Sequence, residues 1–156
     1  MDKLKYIPGD LVMTNGIPIG TKKGIVYQVT ESNADKFAKV KDGNAFTELK
    51  GSVTLSNLKG KTIHDEGFLF CDCCAWVKDI VQIPITPEIL EKNGWEFYHG
   101  FYCSPPEKGA GICLSSRTGY VRNAYIAGYT LRSDINSVSD LQHLLFGLGI
   151  NHEMEV

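Results

Sequence analysis

Apolar and polar positions alternate in short runs through the first third of the chain, as they do in half-buried β-strands. The runs lie at residues 11–13, 24–29, 37–41, 45–49 and 53–55. Turn residues separate them, with Asn15-Gly16 as the strongest two-residue hairpin signal and Asp42-Gly43-Asn44 as a further turn. Short strands that follow one another this closely predict a small sheet that curls to enclose its own core. We therefore predict an SH3-like barrel over residues 1–58.

The pattern changes after this segment. Residues 59–67 are polar and rich in turn signals, which indicates a loop or linker, whereas residues 68–77 are apolar and suit one or two strands. Aromatic-rich runs then recur at residues 95–98, 101–103, 112–114, 120–122 and 129–132. Recurrent short runs predict an antiparallel meander. The second predicted unit, residues 68–156, is thus an antiparallel sheet with two helices, and the whole chain is α+β.

The first helix is marked by both of its ends. Thr86 can cap its amino terminus, and Pro87 suits the first helical position, where a backbone N–H would have no partner. Glu88 adds a negative charge at the positive end of the helix dipole. Gly94 can adopt the left-handed conformation that ends a helix. These signals predict a short helix between residues 86 and 93.

The second helix is predicted near the carboxyl end. Ser137-Val138-Ser139-Asp140 resembles a capping box, and Gly149 can end the helix. An apolar stripe at helical spacing consists of Leu141, Leu144, Leu145 and Leu148. We predict that this stripe is buried against the meander and that Gln142 and His143 face solvent on the opposite side.

Composition and charge exclude several classes of protein. With 43% hydrophobic and 22% charged residues, the chain has the composition of a soluble globular protein, and no apolar run approaches the roughly 20 residues of a spanning helix. The formal net charge of -2 gives no general attraction to nucleic acid. The first residues lack the apolar segment of a signal peptide, so we expect a cytoplasmic location. In that reducing compartment the five cysteines are expected to be thiols.

The cluster Cys71, Cys73 and Cys74 is the sharpest candidate for metal chemistry, because thiolates bind zinc. The residues that could complete four ligands are His64, His99, Cys103 and Cys113. The spacing argues against such a site, since zinc sites usually place two cysteines two to four residues apart on a tight turn. On a strand, Cys71 and Cys73 would share one face and Cys74 would point away. We therefore expect packed thiols, with no metal and no cofactor.

Other catalytic patterns are weak. A nucleophile needs a base within hydrogen-bond reach, and no local signature joins Cys103 or Cys113 to His99 or His143. The glycines and lysines at residues 20–24 precede a predicted strand and not a helix, so they do not form a phosphate-binding loop. We therefore predict that the protein is not an enzyme.

Aromatic residues give the better indication of function. The second unit contains more of them than one buried sheet face needs, so strand alternation should direct some outward. Together with arginines they could line a groove for a peptide, a nucleotide or a protein partner. The predicted ligand-binding residues are Trp95, Tyr98, Tyr102, Arg117, Tyr120 and Arg122.

Three segments also carry a family resemblance. Residues 9–12 read Gly-Asp-Leu-Val, residues 81–95 contain the Pro-Ile-Thr-Pro-Glu-Ile-Leu-Glu-Lys-Asn-Gly-Trp run, and residues 138–145 end in Leu-Gln-His-Leu-Leu. In these segments the chain resembles small uncharacterised proteins of prophages and mobile elements of anaerobic gut bacteria. It departs from them where Val138-Ser139-Asp140 replaces the usual valine-histidine pair, and in the cysteine cluster. The resemblance implies origin and architecture but no activity.

The function expected from these observations is that of a non-enzymatic binding or accessory protein of phage or mobile-element origin, with an unknown protein or small-molecule partner. An alternative is a small-ligand or nucleotide-binding protein that acts against host defence by sequestration. A weaker alternative is a nucleic-acid-binding barrel that uses Lys22, Lys23, Lys39 and Lys41. The near-neutral charge makes nucleic acid the least favoured of these partners.

Overall fold

The fold was described from a computed structural model that covers residues 5–17, 22–58, 74–108, 111–117 and 120–156. The chain divides into two compact units, Met1–Gln82 and Ile83–Val156. Among these described residues, each unit contains one antiparallel five-stranded sheet, and two α-helices belong to the second unit. The α+β class is therefore correct in its coarse form, with strands predominating. No helix in the described part of the chain has the length and apolar character needed to cross a membrane.

The sheet of the first unit contains five strands in the order β4-β3-β2-β1-β5. The strands are β1 (Leu11–Thr14), β2 (Val26–Asp42), β3 (Ala45–Asn57), β4 (Cys74–Trp76) and β5 (Ile80–Gln82). A 3₁₀ turn at Val77–Asp79 joins the last two. All neighbouring pairs in this sheet are antiparallel.

The core of the first unit follows the two-residue period of its strands. Tyr27 and Val29 on β2 are both buried, as are Val53 and Leu55 on β3, and the intervening residues lie on the other face. The buried cluster consists of Tyr6, Val12, Tyr27, Val29, Val53, Leu55, Ala75 and Ile80. Alternation predicted from the sequence therefore identifies the inner face of this sheet correctly.

The predicted series of short strands is wrong in one respect. The run at 24–29, from Val26 onward, and the run at 37–41 belong to one 17-residue strand, and the runs at 45–49 and 53–55 belong to one 13-residue strand. The two strands form a long hairpin whose two-residue turn is Gly43-Asn44, because Asp42 pairs directly with Ala45. Asn15-Gly16 is not a hairpin turn. Instead the Asn15 side chain donates to the carbonyl oxygen of Lys78 at 2.9 Å and accepts from Ile17 N–H at 2.9 Å.

The SH3-like barrel is not shown by this sheet. Its order ends in β4 on one side and β5 on the other, so the described strands form an open sheet. The unit boundary also differs from the prediction, since β4 and β5 pair with β3 and β1 and bring residues 74–82 into the first unit. The predicted loop at residues 59–67 lies outside the described residues.

Gly51 offers a test of the backbone conformation at the register shift between β2 and β3. It lies on β3, opposite a register shift in β2, with φ +72, and an added Cβ would lie 3.1 Å from Val77 Cγ2. We expect Gly51→Ala to lower the free energy of unfolding by about 1–3 kcal/mol, since it combines a left-handed backbone with a close contact. Urea denaturation followed by circular dichroism measures this loss.

Gly43→Ala is the matched control for that variant. Gly43 has φ +61 in the hairpin turn, but an added Cβ would meet nothing within 4 Å. Gly43→Ala should lower the free energy of unfolding by only about 1 kcal/mol, the cost of placing a side chain on a left-handed backbone. Wild-type stability of Gly51→Ala would contradict the left-handed conformation assigned to that residue.

The second unit contains an antiparallel meander in the order β10-β9-β8-β7-β6. Its strands are β6 (Glu96–Tyr98), β7 (Phe101–Cys103), β8 (Ile112–Arg117), β9 (Tyr120–Ile126) and β10 (Tyr129–Ser133). The predicted meander is therefore confirmed. Two of its hairpin turns, His99-Gly100 and Ala127-Gly128, have positive φ at both residues, which matches the right-handed twist of the strands they join.

The two helices, α1 (Pro87–Lys92) and α2 (Val138–Gly147), begin and end where the sequence predicts. The Thr86 hydroxyl accepts from Ile89 N–H at 3.4 Å, and Gly94 ends α1 with φ +77. Ser137 and Asp140 form a reciprocal capping box at the start of α2. Both helices close with the paired carboxyl-terminal hydrogen bonds of a Schellman motif, at residues 94–95 and 149–150.

The buried face of α2 is rotated from the predicted one. Leu141 and Leu145 are fully buried as expected, but Leu148 is 40% exposed and Leu144 is only half-buried. Gln142, which we predicted to face solvent, is 1% exposed, and its amide donates to the carbonyl oxygen of His152 at 3.1 Å. The inward face is therefore Val138, Leu141, Gln142 and Leu145, and the polar member is tolerated because its amide is hydrogen-bonded.

The remaining core of the second unit comes from strands, helix α1 and the connections between them. Its other buried hydrophobic residues are Ile83, Ile85, Leu90, Trp95, Tyr102, Ile112, Leu114, Ala124, Ile135 and Met154. An extended segment at residues 83–85 bonds to residues 136–138, with Val138 N–H donating to the Ile83 carbonyl oxygen at 2.9 Å. The chain end is tied to α1, because Asn93 bonds to the backbone of Glu155 in both directions.

Candidate functional site

The second sheet has two chemically different faces. On one face, Tyr102, Leu114 and Ala124 are directly paired and are each at most 6% exposed. Because side chains alternate along a strand, their sequence neighbours point to the opposite face. We call this opposite face the outer face. It contains two rows of paired residues, Tyr98-Phe101-Ser115-Asn123 and Glu96-Cys103-Cys113-Tyr125.

Three aromatic side chains stand on the outer face. Tyr98 is 65% exposed and Phe101 is 38% exposed. The Phe101 ring meets the Tyr125 ring edge to face, with 6.0 Å between centroids and 89° between planes. Offset or edge-to-face contacts of this kind hold aromatic rings in place at a surface. The sheet thus presents ordered aromatic surface at its β6–β7 side.

Polar groups border these rings and are fixed by hydrogen bonds. The amide of Asn123 donates to the Tyr125 hydroxyl at 3.2 Å, and the Ser115 hydroxyl is 3.5 Å from the Asn123 carbonyl oxygen. Glu96 is the single charged residue among the eight residues named in these two rows, and it is exposed. A face with fixed rings, a few hydrogen-bonding groups and little charge suits contact with another surface.

Two of the predicted ligand-binding residues are core residues. Trp95 is 1% exposed and Tyr102 is 6% exposed, so neither presents a ring to a ligand. Burial, and to a lesser extent the nearby negative charges of Glu91 and Glu88, raises the pKa of the Tyr102 hydroxyl. Counts of aromatic residues in the sequence do not show which face of a strand each residue occupies.

The other predicted binding residues divide into two groups. Tyr98 is exposed and lies on the outer face. Arg117 ends β8, and Tyr120 and Arg122 lie on β9, but their side chains are outside what the structure describes. Of the six residues, one is thus placed on an exposed surface and two are placed in the core.

Phe101, Asn123 and Tyr125 also lie on the outer face and were not among the six predicted residues. The signal that could have found all three is their position next to a buried residue on the same strand. Phe101 precedes the buried Tyr102, and Asn123 and Tyr125 flank the buried Ala124. Once one buried residue on each strand is known, alternation assigns its neighbours to the outer face.

The cysteine cluster is described only at Cys74, since Cys71 and Cys73 lie outside the described residues. Cys74 is half-buried on β4, with its sulfur 3.8 Å from the Thr54 hydroxyl. Within the described ranges, no three His, Cys, Asp or Glu side chains come together in a way that could hold a metal ion. The described residues therefore offer no metal centre for which a role could be argued.

The contacts that the structure describes for Cys103, Cys113 and His99 do not join a cysteine to a histidine as nucleophile and base. His99 lies in the β6–β7 turn, where its ring contacts Tyr98 with 4.0 Å between centroids. Cys103 has another cysteine as its neighbour, with 3.8 Å between its sulfur and that of Cys113. Burial, with smaller contributions from Cys113 and Glu96, raises the pKa of the Cys103 thiol, which disfavours the nucleophilic thiolate.

Comparisons with known proteins add no family assignment. No protein-family model, curated protein or solved structure matches the chain. The function is therefore argued from the geometry of the second unit.

Proposed function

We propose that this chain is a non-enzymatic binding or accessory protein that holds a macromolecular partner on the outer face of its second sheet. The observation that carries the proposal is the pair of exposed rings of Tyr98 and Phe101, with the half-buried Tyr125 ring in contact with Phe101. Aromatic residues are enriched where proteins bind one another, because a rigid ring buries a large area at a small entropic cost. Fixed rings at the edge of a sheet supply such contacts.

A protein partner is favoured over a small sequestered ligand. Small-molecule sites are concave and enclose most of the ligand, usually between apolar walls. Trp95 and Tyr102, which were expected to supply two such walls beside Tyr98, are buried in the core. The remaining rings stand on the face of a sheet, and this arrangement supports contact with a broad surface. Sequestration of a nucleotide is therefore the second candidate.

Nucleic acid is the least favoured partner. The second unit contains eight acidic and five basic residues, a formal net charge of -3. Affinity for nucleic acid comes largely from basic side chains that neutralise phosphates, and the one charged residue among the eight described residues in the two outer-face rows is the acidic Glu96. In the first unit Lys39 is paired with Glu48 at 3.1 Å, so a basic surface there is partly neutralised.

We also propose a phage or mobile-element origin and a cytoplasmic location. The support for this origin is the resemblance of residues 9–12, 81–95 and 138–145 to proteins of such elements. This part of the proposal is independent of the aromatic face and is tested by the genomic neighbours of the coding sequence.

Site-specific photocrosslinking tests the binding face. A photoreactive phenylalanine analogue is placed at position 98 and irradiated in cells that produce the protein. It should form an adduct of defined mass with one other protein. The same analogue at Tyr129 is the control, because Tyr129 is 79% exposed in the same unit but lies on β10, outside the outer face. Equal adducts from both positions would show that the outer face has no special role.

A quantitative form of the test uses the partner identified by crosslinking. We expect Phe101→Ser to weaken its binding by roughly tenfold or more, since central aromatic contacts carry most of the energy of an interface. Tyr129→Ser should leave the dissociation constant within about twofold. Turnover of a cell metabolite pool by the purified chain would overturn the non-enzymatic assignment, and a stoichiometric small molecule in native mass spectra would favour sequestration.

A further inference from the structure

Two cysteines lie side by side on the outer face. Cys103 on β7 is directly opposite Cys113 on β8, and their sulfur atoms are 3.8 Å apart. Both residues are free thiols and half-buried, so each retains surface accessible to a small reagent. This pair is ten residues apart in sequence and is brought together only by the register of the two strands.

The backbone at this pair has the spacing of a cross-strand disulfide. Ser104 N–H donates to the Ile112 carbonyl oxygen at 2.9 Å, which makes 104 and 112 a hydrogen-bonded pair. Because the two pair types alternate along an antiparallel ladder, Cys103 and Cys113 occupy the closer, non-hydrogen-bonded type, with about 4.5 Å between Cα atoms. Disulfides span Cα separations of about 4.4–6.8 Å. The sulfurs need to approach by only about 1.8 Å, which side-chain rotation can supply.

We propose that Cys103 and Cys113 form a reversible cross-strand disulfide by exchange with a low-molecular-weight disulfide such as oxidised glutathione. One cysteine, as thiolate, attacks a sulfur of the reagent, forms a mixed disulfide and releases one glutathione thiolate. The second cysteine, as thiolate, attacks the protein sulfur of that mixed disulfide, forms the intramolecular bond and releases the second glutathione. The two cysteines are oxidised by two electrons, the reagent is reduced to two thiols, and the two cysteine protons end on them.

Two properties of the site set its behaviour. The pKa of Cys103 is raised by burial and by the neighbouring Cys113 and Glu96, so this thiol is protonated at neutral pH and the exchange should be faster at pH 9 than at pH 7. The disulfide would also close a covalent loop from Cys103 to Cys113, which contains the 3₁₀ turn Pro106–Lys108. Closing a loop restricts the unfolded chain, so the oxidised protein should melt roughly 5–15 °C above the reduced one.

Peptide mapping of the full-length chain tests the proposal. Trypsin places Cys103 in the peptide 93–108 and Cys113 in the peptide 109–117. After incubation with oxidised glutathione, we expect these two peptides linked in one species lighter by two hydrogens than their sum, in monomeric protein. Addition of dithiothreitol should separate them. Stable glutathione adducts on both cysteines, a disulfide between two chains, or unreacted thiols would each overturn the proposal.

Variants separate this pair from the other three cysteines. The background Cys71→Ser/Cys73→Ser/Cys74→Ser leaves Cys103 and Cys113 alone, and the same linked peptides should form in it. In that background, Cys103→Ser should stop the reaction at a glutathione adduct on Cys113, with no rise in melting temperature. Since the wild-type chain is mapped in parallel, misfolding of a variant leaves the test intact.

Discussion

Leu145→Ala should destabilise the second unit by about 2–5 kcal/mol, against a total stability of about 5–15 kcal/mol for a protein of this kind. Leu145 is fully buried on the inward face of α2, and its truncation removes apolar contacts and leaves a cavity. In a unit of this size each kcal/mol lowers the melting temperature by roughly 4–8 °C. Trp95 fluorescence in a Trp76→Phe background, followed through urea or thermal unfolding, reports this unit separately from the first.

Two variants of the same helix define the inward face. Leu148→Ala removes the same atoms from a position that is 40% exposed, and we expect it to cost less than about 1 kcal/mol. Gln142→Ala should cost about 1–3 kcal/mol, because it removes a buried amide and leaves the His152 carbonyl oxygen without that donor. A loss in Leu148→Ala that equals the loss in Leu145→Ala would show that the helix is rotated from the orientation described.

Trp95→Ala should be at least as damaging, at about 3–5 kcal/mol. Trp95 is 1% exposed and follows directly after the carboxyl end of α1, where its N–H donates to the Leu90 carbonyl oxygen at 3.0 Å. Loss of the indole removes the largest fully buried side chain of the described residues. Circular dichroism during thermal unfolding measures the change without relying on tryptophan fluorescence.

Trp95→Phe distinguishes packing from hydrogen bonding at that position. The indole Nε1 is buried and has no hydrogen-bond partner among the residues that the structure describes. Phenylalanine keeps most of the ring and removes this donor, so the loss should be less than half of that in Trp95→Ala. If Trp95→Phe is as unstable as Trp95→Ala, the indole N–H makes a bond that the described residues do not show. If Trp95→Ala is tolerated, Trp95 is a surface residue after all and becomes available for ligand binding.

Burial of Leu145 follows from helical spacing, since apolar residues three and four apart share a face. Burial of Gln142 on the same helix face does not follow from the sequence, because hydropathy places an amide in solvent unless its hydrogen-bond partner is known. That partner is the backbone of His152, beyond the end of the helix. Trp95 is a second example. Its position directly after α1 follows from the local sequence, but its burial depends on packing against the rest of the unit.

Features that depend on a few consecutive residues are the ones that could be predicted from the amino-acid sequence. The ends of both helices are of this kind, since Thr86, Gly94, Ser137 and Gly149 act on backbone groups within one turn. The strands of the meander are also local, because alternation and turn residues define them. These signals are reliable here because a cap or a left-handed glycine has the same steric and hydrogen-bonding reason in any fold.

Contacts between distant residues, and the face of each strand that is covered, depend on the folded structure. Strand pairing extended β2 and β3 through the polar residues between their apolar runs, and it placed β4 and β5 in the first sheet. Register alone brought Cys103 to Cys113 and separated exposed Phe101 from buried Tyr102. A shift of one residue in register would exchange the two faces of a strand without changing its local preference for extended structure. The candidate site therefore depends on pairing between distant segments, which local sequence patterns do not encode.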